Sequence, residues 1–212
     1  MRVVAINGSP HRDGNAARSL SRVGEVLRNG GVDFEVIHIG DKVVRGCTAC
    51  GQCRKTGDGR CAFGEAPDPV NGAVKMMSGA DGIILAAPVH YSGIAGTMKS
   101  FLDRSFYVAG PGSLFRHKVG AALTVVRRSG GSSTLDALNH YLTYSEMIVA
   151  TSNYWNVIHG MDAGQIDEDG EGLQILDMLA GNMLWILRMR DATRDSLDPP
   201  ARQKKVFTNF IR

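Results

Sequence analysis

The sequence lacks the long apolar run that a membrane-spanning helix needs. No stretch among its 212 residues approaches the ~20 consecutive apolar residues that cross a bilayer. A signal peptide is also missing, because Met1-Arg2 leads directly into a predicted strand and loop. We therefore expect a cytoplasmic protein with no membrane partner.

The sequence also has little excess charge of either sign. Its 24 Lys and Arg residues against 21 Asp and Glu residues leave a formal net charge of +3, which is too small to indicate nucleic-acid binding. Basic residues gather near the C-terminus, where they are more typical of a solvated face than of a binding patch: Arg194, Arg202, Lys204, Lys205 and Arg212. The composition, 43% hydrophobic and 21% charged, is that of an ordinary globular domain.

Two common nucleotide-binding motifs are missing. The first loop has neither the G-x-G-x-x-G spacing of dinucleotide sites nor the Lys of a P-loop. It reads Asn7-Gly8-Ser9-Pro10 after a short apolar run and leads into a helical pattern at Asn15, so backbone N–H groups and a helix N-terminus are directed at one point. Ser9, Asn15, His11 and Arg12 could add donors or positive charge. The loop favours a mononucleotide phosphate, with FMN the obvious candidate, although an ordinary β–α turn has the same composition.

The order of apolar runs and helical patterns predicts a doubly wound α/β domain. Strands are predicted at 2–7, 34–39, 82–87, 119–126 and 147–151, and helices at 15–28, 69–78, 95–108, 134–144 and 173–189. This alternation predicts a three-layer sandwich, with a five-stranded parallel sheet and helices on both faces. The domain is predicted to span residues 1–190, with an aperiodic cysteine-containing loop at 40–68 and a C-terminal tail at 191–212.

A second loop of interest follows the third predicted strand, which Pro88 is expected to end. It reads Pro88-Val89-His90-Tyr91-Ser92-Gly93 and lies at the same edge of the predicted sheet as the first loop. An apolar and aromatic loop there could hold a flat ring, with Tyr91 and Val89 near the face of the ring. A simple strand exit, with Tyr91 as a half-buried packing residue, explains the same residues.

Five segments of the chain together carry a resemblance to a known family. They are Asn7-Gly8-Ser9-Pro10 with Gly14-Asn15, Ala86-Ala87-Pro88-Val89-His90-Tyr91, Met98-Lys99-Ser100-Phe101-Leu102-Asp103-Arg104, Gly130-Gly131, and Asp169-Gly170-Glu171-Gly172-Leu173. With these segments the chain resembles the NADPH-dependent FMN reductase family of flavodoxin-like proteins, and within it the iron–sulfur flavoprotein and multimeric flavodoxin branch.

The resemblance implies noncovalent FMN. It implies a phosphate site near Ser9, His11, Asn15 and Ala16, and an isoalloxazine site near Pro88, Val89, His90, Tyr91 and Ser92. It further implies that the loop after the fourth strand, from Thr124 through Arg127 to Gly131, approaches the flavin. Three positions depart from the family pattern: Ala16 replaces a hydroxyl residue, His90 stands where Tyr is frequent, and Val126-Arg127 replaces a glycine-rich pair.

All four cysteines lie in the 40–68 loop with the spacing C-x2-C-x2-C-x7-C: Cys47, Cys50, Cys53 and Cys61. In a reducing compartment such cysteines are more often ligands or redox groups than disulfides. The dense triplet is similar to ferredoxin-type ligation, whereas structural zinc sites usually supply two separated pairs. The resemblance implies a [4Fe-4S] cluster on the four residues; free, oxidised or paired thiols are the alternative.

The hypothesis from the sequence is an FMN-dependent oxidoreductase. It would move electrons from NAD(P)H or a ferredoxin-like donor to a quinone, a flavin or another acceptor. A non-enzymatic electron-transfer iron–sulfur flavoprotein and a cysteine-based redox sensor are the alternatives. We also expect a homodimer or homotetramer, as the resemblance implies and as the exposed-looking aromatic pairs Tyr154-Trp155 and Phe106-Tyr107 indicate.

Overall fold

A largely parallel β-sheet forms the centre of the molecule in our computed structural model, which describes residues 1–210. Residues 211 and 212, the end of the predicted tail, lie outside the described residues. The strands are β1 (Arg2–Asn7), β2 (Asp33–His38), β3 (Gly82–His90), β4 (Gly93–Ile94), β5 (Val119–Val126), β6 (Ile148–Val149) and β7 (Val157–His159). The main path runs β2-β1-β3-β5-β6, so the five-stranded parallel core is confirmed, and β4 and β7 extend it to seven strands.

Helices cover both faces of the sheet. They are α1 (Asn15–Asn29), α2 (Gln52–Thr56), α3 (Val70–Ser78), α4 (Gly96–Ala109), α5 (Gly131–Tyr144) and α6 (Gly170–Ala192), with a short 3-10 turn at Gln165–Glu168. The apolar faces of α1 and α6 pack on one side of the sheet, and those of α3, α4 and α5 pack on the other. The predicted three-layer arrangement is therefore confirmed. Within residues 1–210, none of the helices combines the length and apolar character that crossing a membrane would take.

The sequence predicts that the third strand ends at Pro88, and this prediction is wrong. The strand continues to His90, with Pro88 in register beside Val125, and returns through a two-residue turn into β4. Both turn residues, Tyr91 and Ser92, have positive φ angles, of 49° and 57°. This is the geometry that a tight two-residue hairpin requires. Proline at 88 is tolerated because only β5 pairs with the strand there, β1 having ended at Asn7.

Other features of the structure also differ from the predictions. Of the strand predicted at 147–151, only two residues form a strand, β6, and a separate short strand that the sequence did not predict, β7, pairs with β5 further along the chain. The last helix begins three residues earlier than predicted, where Asp169 accepts a hydrogen bond from Gly172 N and caps the first turn. Phe106 is buried against Phe115, with ring centroids 5.1 Å apart, so its predicted exposure was wrong.

Candidate functional site

Three loops meet at the carboxyl edge of the sheet. The first follows β1, the second is the β3–β4 turn, and the third joins β5 to α5. Gly8 N donates to the carbonyl oxygen of Ala86 at 2.8 Å, and a Cβ atom at Gly8 would lie 2.7 Å from the Met98 side chain. The first loop is therefore packed tightly against β3 and α4, as predicted for loops that follow neighbouring parallel strands.

Ser9 is the most firmly held residue of the first loop, with 5% of its surface exposed. Its backbone N–H donates to Asn7 Oδ1 at 3.0 Å, and its carbonyl oxygen is hydrogen-bonded to His38 Nε2 at 2.7 Å. Its hydroxyl oxygen accepts from His11 N at 3.2 Å, which leaves the hydroxyl hydrogen to donate elsewhere. The Gly40 backbone presses on this carbonyl so closely that a Cβ atom there would lie 2.0 Å from the oxygen.

Helix α1 begins beside Ser9 with the properties of an anion site. Its N-cap, Gly14, supplies no side-chain hydrogen bond, and the first turn contains no acidic residue. The first N–H groups of a helix have no partner within the helix and carry its positive dipole end, so they fit a phosphate. Ala16 is 2% exposed and offers only its backbone there. His11 and Arg12 are exposed, and Arg12 forms an ion pair with Asp41 at 3.2 Å.

Asn15 has a structural partner that the sequence did not reveal. Its Nδ2 donates to the carbonyl oxygen of Asp162 at 2.9 Å, and its Oδ1 accepts from Gly164 N at 2.8 Å. The side chain thus fastens the segment 160–165, which precedes α6, across the start of α1. No signal in the sequence could have indicated this contact, because 147 residues separate Asn15 from Asp162.

The second and third loops are in direct contact. A Cβ atom at Gly130 would lie 2.7 Å from Ser92 Cα, and Gly130 has a φ of +86°, so both space and backbone conformation favour glycine. Ser133 Oγ donates to the carbonyl oxygen of Ser92 at 2.9 Å. The residues of the second loop thus form one surface with those of the third loop.

The predicted ring-binding residues differ in accessibility. Pro88 and Val89 are half-buried, and His90, Tyr91, Ser92 and Arg127 are exposed, Tyr91 completely. Thr124 is fully buried, and its Oγ1 donates to the carbonyl oxygen of Ala87 at 2.9 Å, so its hydroxyl joins β5 to β3. The exposed members present apolar and polar groups side by side, which is what holding a flat, polar-edged ring requires.

An open cavity of about 360 Å³ lies beside the third loop. Aromatic, basic and acidic side chains all contribute to its wall, among them Arg128, Tyr154, Trp155, His159, Asp169 and Glu171. Tyr154 and Trp155 pack edge to face, with ring centroids 4.6 Å apart, and more than half of each side chain is exposed.

The four cysteines line a single cavity, although they occupy different depths. Cys47 and Cys50 are exposed, Cys61 is partly buried and Cys53 is buried, and none forms a disulfide. Phe63, Tyr107 and Val108 complete much of the cavity wall. Burial raises the pKa of the Cys53 thiol, and the neighbouring Cys61 and Cys50 raise this pKa further.

The donor set of this cavity consists of four thiols, the ligand type that iron–sulfur clusters use. Within residues 1–210, no three His, Cys, Asp or Glu side chains are placed to hold one metal ion. A cubane carries its thiolate ligands on four separate iron atoms, so its cysteines surround the cluster rather than one point. Four soft sulfur ligands around one cavity therefore fit the chemistry of such a cluster.

Arg104 is a buried residue that lines the cysteine cavity, and the sequence analysis did not predict this. The residue is 2% exposed, and it donates from Nη1 to Asp68 Oδ2 at 2.5 Å and from Nη2 to Cys61 Sγ at 3.3 Å. Burial acts to lower the pKa of the guanidinium, but the hydrogen bonds to Asp68 and Cys61 outweigh it and raise the pKa. The one available signal was a basic residue in the segment Phe101-Leu102-Asp103-Arg104 of a helix predicted to be largely buried.

Comparison with known proteins agrees with this geometry. The sequence profile of the NADPH-dependent FMN reductase family matches residues 1–162. An iron–sulfur flavoprotein of Methanocaldococcus jannaschii is 29% identical over 196 residues, which cover 89% of this chain and 98% of the relative.

Solved structures confirm the flavodoxin-like fold. A WrbA-like flavodoxin of Agrobacterium tumefaciens superposes with a TM-score of 0.56 at 14% identity, covering 89% of this chain and 97% of its own. RosB, solved with bound 8-demethyl-8-formylriboflavin-5'-phosphate, superposes with a TM-score of 0.68 at 16% identity, covering all of this chain and 94% of its own. At these identities the likeness concerns the fold alone.

Proposed function

Since this chain belongs to the NADPH-dependent FMN reductase family, we propose that it is an FMN-dependent oxidoreductase. It moves electrons from NAD(P)H or a ferredoxin-like donor to a quinone, a flavin or another acceptor. FMN, when bound, supplies the redox chemistry, and the protein binds and orients it. We assign no protein side chain as an acid or base.

The observation that carries this proposal is the meeting of three loops beside the uncapped start of α1. The first-turn N–H groups and the Ser9 hydroxyl hold the phosphate, with the backbone of Ala16 nearby and His11 and Asn15 at the margin of the site. The second loop, Pro88–Ser92, supports the ring, and the third loop closes beside it. A single phosphate-sized loop, with no second loop in the sequence that carries a pyrophosphate signature, favours FMN over FAD.

Arg127 and the open cavity beside the third loop would bind the co-substrate or the acceptor. Arg127 is exposed and forms no ion pair among the described residues, so its guanidinium is available to the phosphate of a nicotinamide nucleotide. The cavity of about 360 Å³, with its Tyr154–Trp155 pair, offers room for a flat co-substrate or acceptor next to the flavin.

A specific observation favours a second candidate, an electron-transfer iron–sulfur flavoprotein. Four thiols line one cavity, and the relative from Methanocaldococcus jannaschii carries that name. Cys47, Cys50, Cys53 and Cys61 would hold a [4Fe-4S] cluster, which when bound supplies one-electron chemistry that FMN can share. Because such thiol sites persist in reducing compartments, we place the protein in the cytoplasm.

The proposed function is tested on protein purified without oxygen. We expect a visible spectrum of bound FMN, FMN rather than FAD in the released extract, and rapid bleaching of the flavin by NADPH or NADH. Slow bleaching by nicotinamides together with rapid reduction by a reduced ferredoxin would favour the electron carrier. Protein that binds no flavin after incubation with FMN would refute both functions, and a redox sensor acting through the thiols would remain.

We also propose that the protein is a homodimer or homotetramer, because α6 exposes an apolar stripe. Met178, Trp185 and Met189 are 42%, 63% and 43% exposed and lie seven and four residues apart, which places them on one face of the helix. Apolar helix faces of this kind are typical of subunit contacts. We expect light scattering at micromolar concentration to give a multiple of the chain mass.

A charge on this stripe should break the assembly. Trp185→Glu is expected to lower the mass toward that of one chain, whereas Val43→Glu, at a 94% exposed loop position, should leave it unchanged. A monomeric mass for the wild-type protein with FMN fully bound would contradict the oligomer.

A further inference from the structure

Arg104 is the largest fully buried side chain in the described part of the molecule, and the function proposed above does not use it. It lies eight residues into α4, roughly 12 Å along the helix from the edge where the flavin loops meet. The hydrogen-bond partners of its guanidinium all belong to the 40–68 loop, and none belongs to the three flavin loops. Its surroundings are those of the cysteine cavity.

The guanidinium has three acceptors, and only one of them is needed to neutralise its charge. Nη1 donates to Asp68 Oδ2 at 2.5 Å and, more weakly, to the carbonyl oxygen of Arg45 at 3.4 Å. Nη2 turns away from the carboxylate and donates to Cys61 Sγ at 3.3 Å. Arg–carboxylate pairs are frequently bidentate, whereas this one gives its second nitrogen to a sulfur.

Cys61 is held in place for this contact by a second side chain. Asn71 Oδ1 accepts from Cys61 N at 2.7 Å, and Asn71 Nδ2 donates to the Cys61 carbonyl oxygen at 3.0 Å. Both backbone polar groups of Cys61 are thus bound to one residue of α3. The backbone of Cys61 is therefore fixed, and its sulfur keeps only the freedom of its χ1 rotamers.

We propose that Arg104 is a positioning residue that raises the one-electron reduction potential of an iron–sulfur cluster through its N–H···S hydrogen bond to Cys61. The proposal rests on the cysteine site of the proposed function. Reduction adds one negative charge to a cluster, and hydrogen bonds to ligand sulfurs and nearby positive charge stabilise the more negative state. In a buried position these interactions are weakly screened, so one guanidinium has a large effect.

The proposal predicts that two charge variants shift the reduction potential in opposite directions. A purely structural role for the ion pair does not predict this. Arg104→Met removes the positive charge and the N–H donor, so the potential should fall. Asp68→Asn removes the compensating negative charge and keeps the Arg104–Cys61 hydrogen bond, so the potential should rise. If the ion pair only held α4 to the loop, both variants would loosen the same contact and move the potential in the same direction.

The experiment measures midpoint potentials by anaerobic titration with dithionite, followed by electron paramagnetic resonance. Wild-type protein is first reconstituted with iron and sulfide. We expect Arg104→Met to lower the equilibrium constant for one-electron reduction about tenfold, or about 59 mV, and Asp68→Asn to raise it. Arg104→Lys should lie between wild type and Arg104→Met. Lys99→Met, the same charge change on α4 at an ion pair with Asp103 outside the cysteine cavity, should leave the potential unchanged.

Each outcome has one reading. Wild-type protein that takes up no iron refutes the cysteine site itself and this proposal with it. If the wild type loads and both charge variants shift in one direction, or neither shifts by threefold, the site stands and the role of Arg104 is refuted. Should Arg104→Met fail to fold, the sign of the shift in Asp68→Asn and the position of Arg104→Lys decide the question.

Discussion

Replacing Gly40 with alanine should destabilise the protein by about 3 kcal/mol and weaken FMN binding at least roughly tenfold. The new Cβ atom would lie 2.0 Å from the carbonyl oxygen of Ser9 and 2.2 Å from its carbonyl carbon, both backbone atoms that no rotamer change can move. Relief requires the first loop to shift away from β2. The shift would displace Ser9 and its hydroxyl from the start of α1, where we place the phosphate.

Thermal unfolding and FMN titration measure the two effects. For a chain of this size the expected destabilisation corresponds to a loss of roughly 6–12 °C in Tm. Gly72→Ala is the matched control, because Gly72 is exposed in α3 and a Cβ atom there meets nothing within 4 Å. It should leave FMN affinity unchanged and stabilise the helix by about 0.5–1 kcal/mol. A Gly40→Ala protein with wild-type Tm and FMN affinity would contradict the tight contact.

Replacing Cys61 with serine should remove most of the iron from protein reconstituted without oxygen. The proposed site has four sulfur ligands, and no other cysteine exists in the chain to replace a lost one. Serine keeps the size of the side chain, and Asn71 binds only the backbone of residue 61, so the local fold should survive. FMN binding should also survive, because the three flavin loops do not include this residue.

Iron and sulfide analysis, with the absorption spectrum, measures this loss. We expect roughly four iron atoms per chain in the wild type, as a [4Fe-4S] cluster contains, and well under half of that in Cys61→Ser. Thr48→Ser, which changes a non-sulfur side chain of the same cavity, should load fully. Equal iron in wild type and Cys61→Ser would show that Cys61 is no ligand. The thiols would then be free groups or a redox pair.

The sequence by itself determined the layers of this protein. Strands β1 and β5 have the predicted bounds, because strands buried on both faces read as continuous apolar runs that solvent-exposed segments cannot imitate. The helices of both faces were found from their apolar stripes. The carboxyl edge as the site of the first two loops also followed from sequence, since parallel strands bring their ends together whatever the details of packing.

Only the tertiary structure decided how side chains from distant segments combine. The contact of Gly40 with Ser9, the attachment of Asn15 to the segment 160–165 and the hydrogen bond of Arg104 to Cys61 join residues 31, 147 and 43 positions apart. Local periodicity reports which face of an element is buried, but it does not report which residue lies opposite. The partner is set by strand order and helix packing, and these depend on the whole chain.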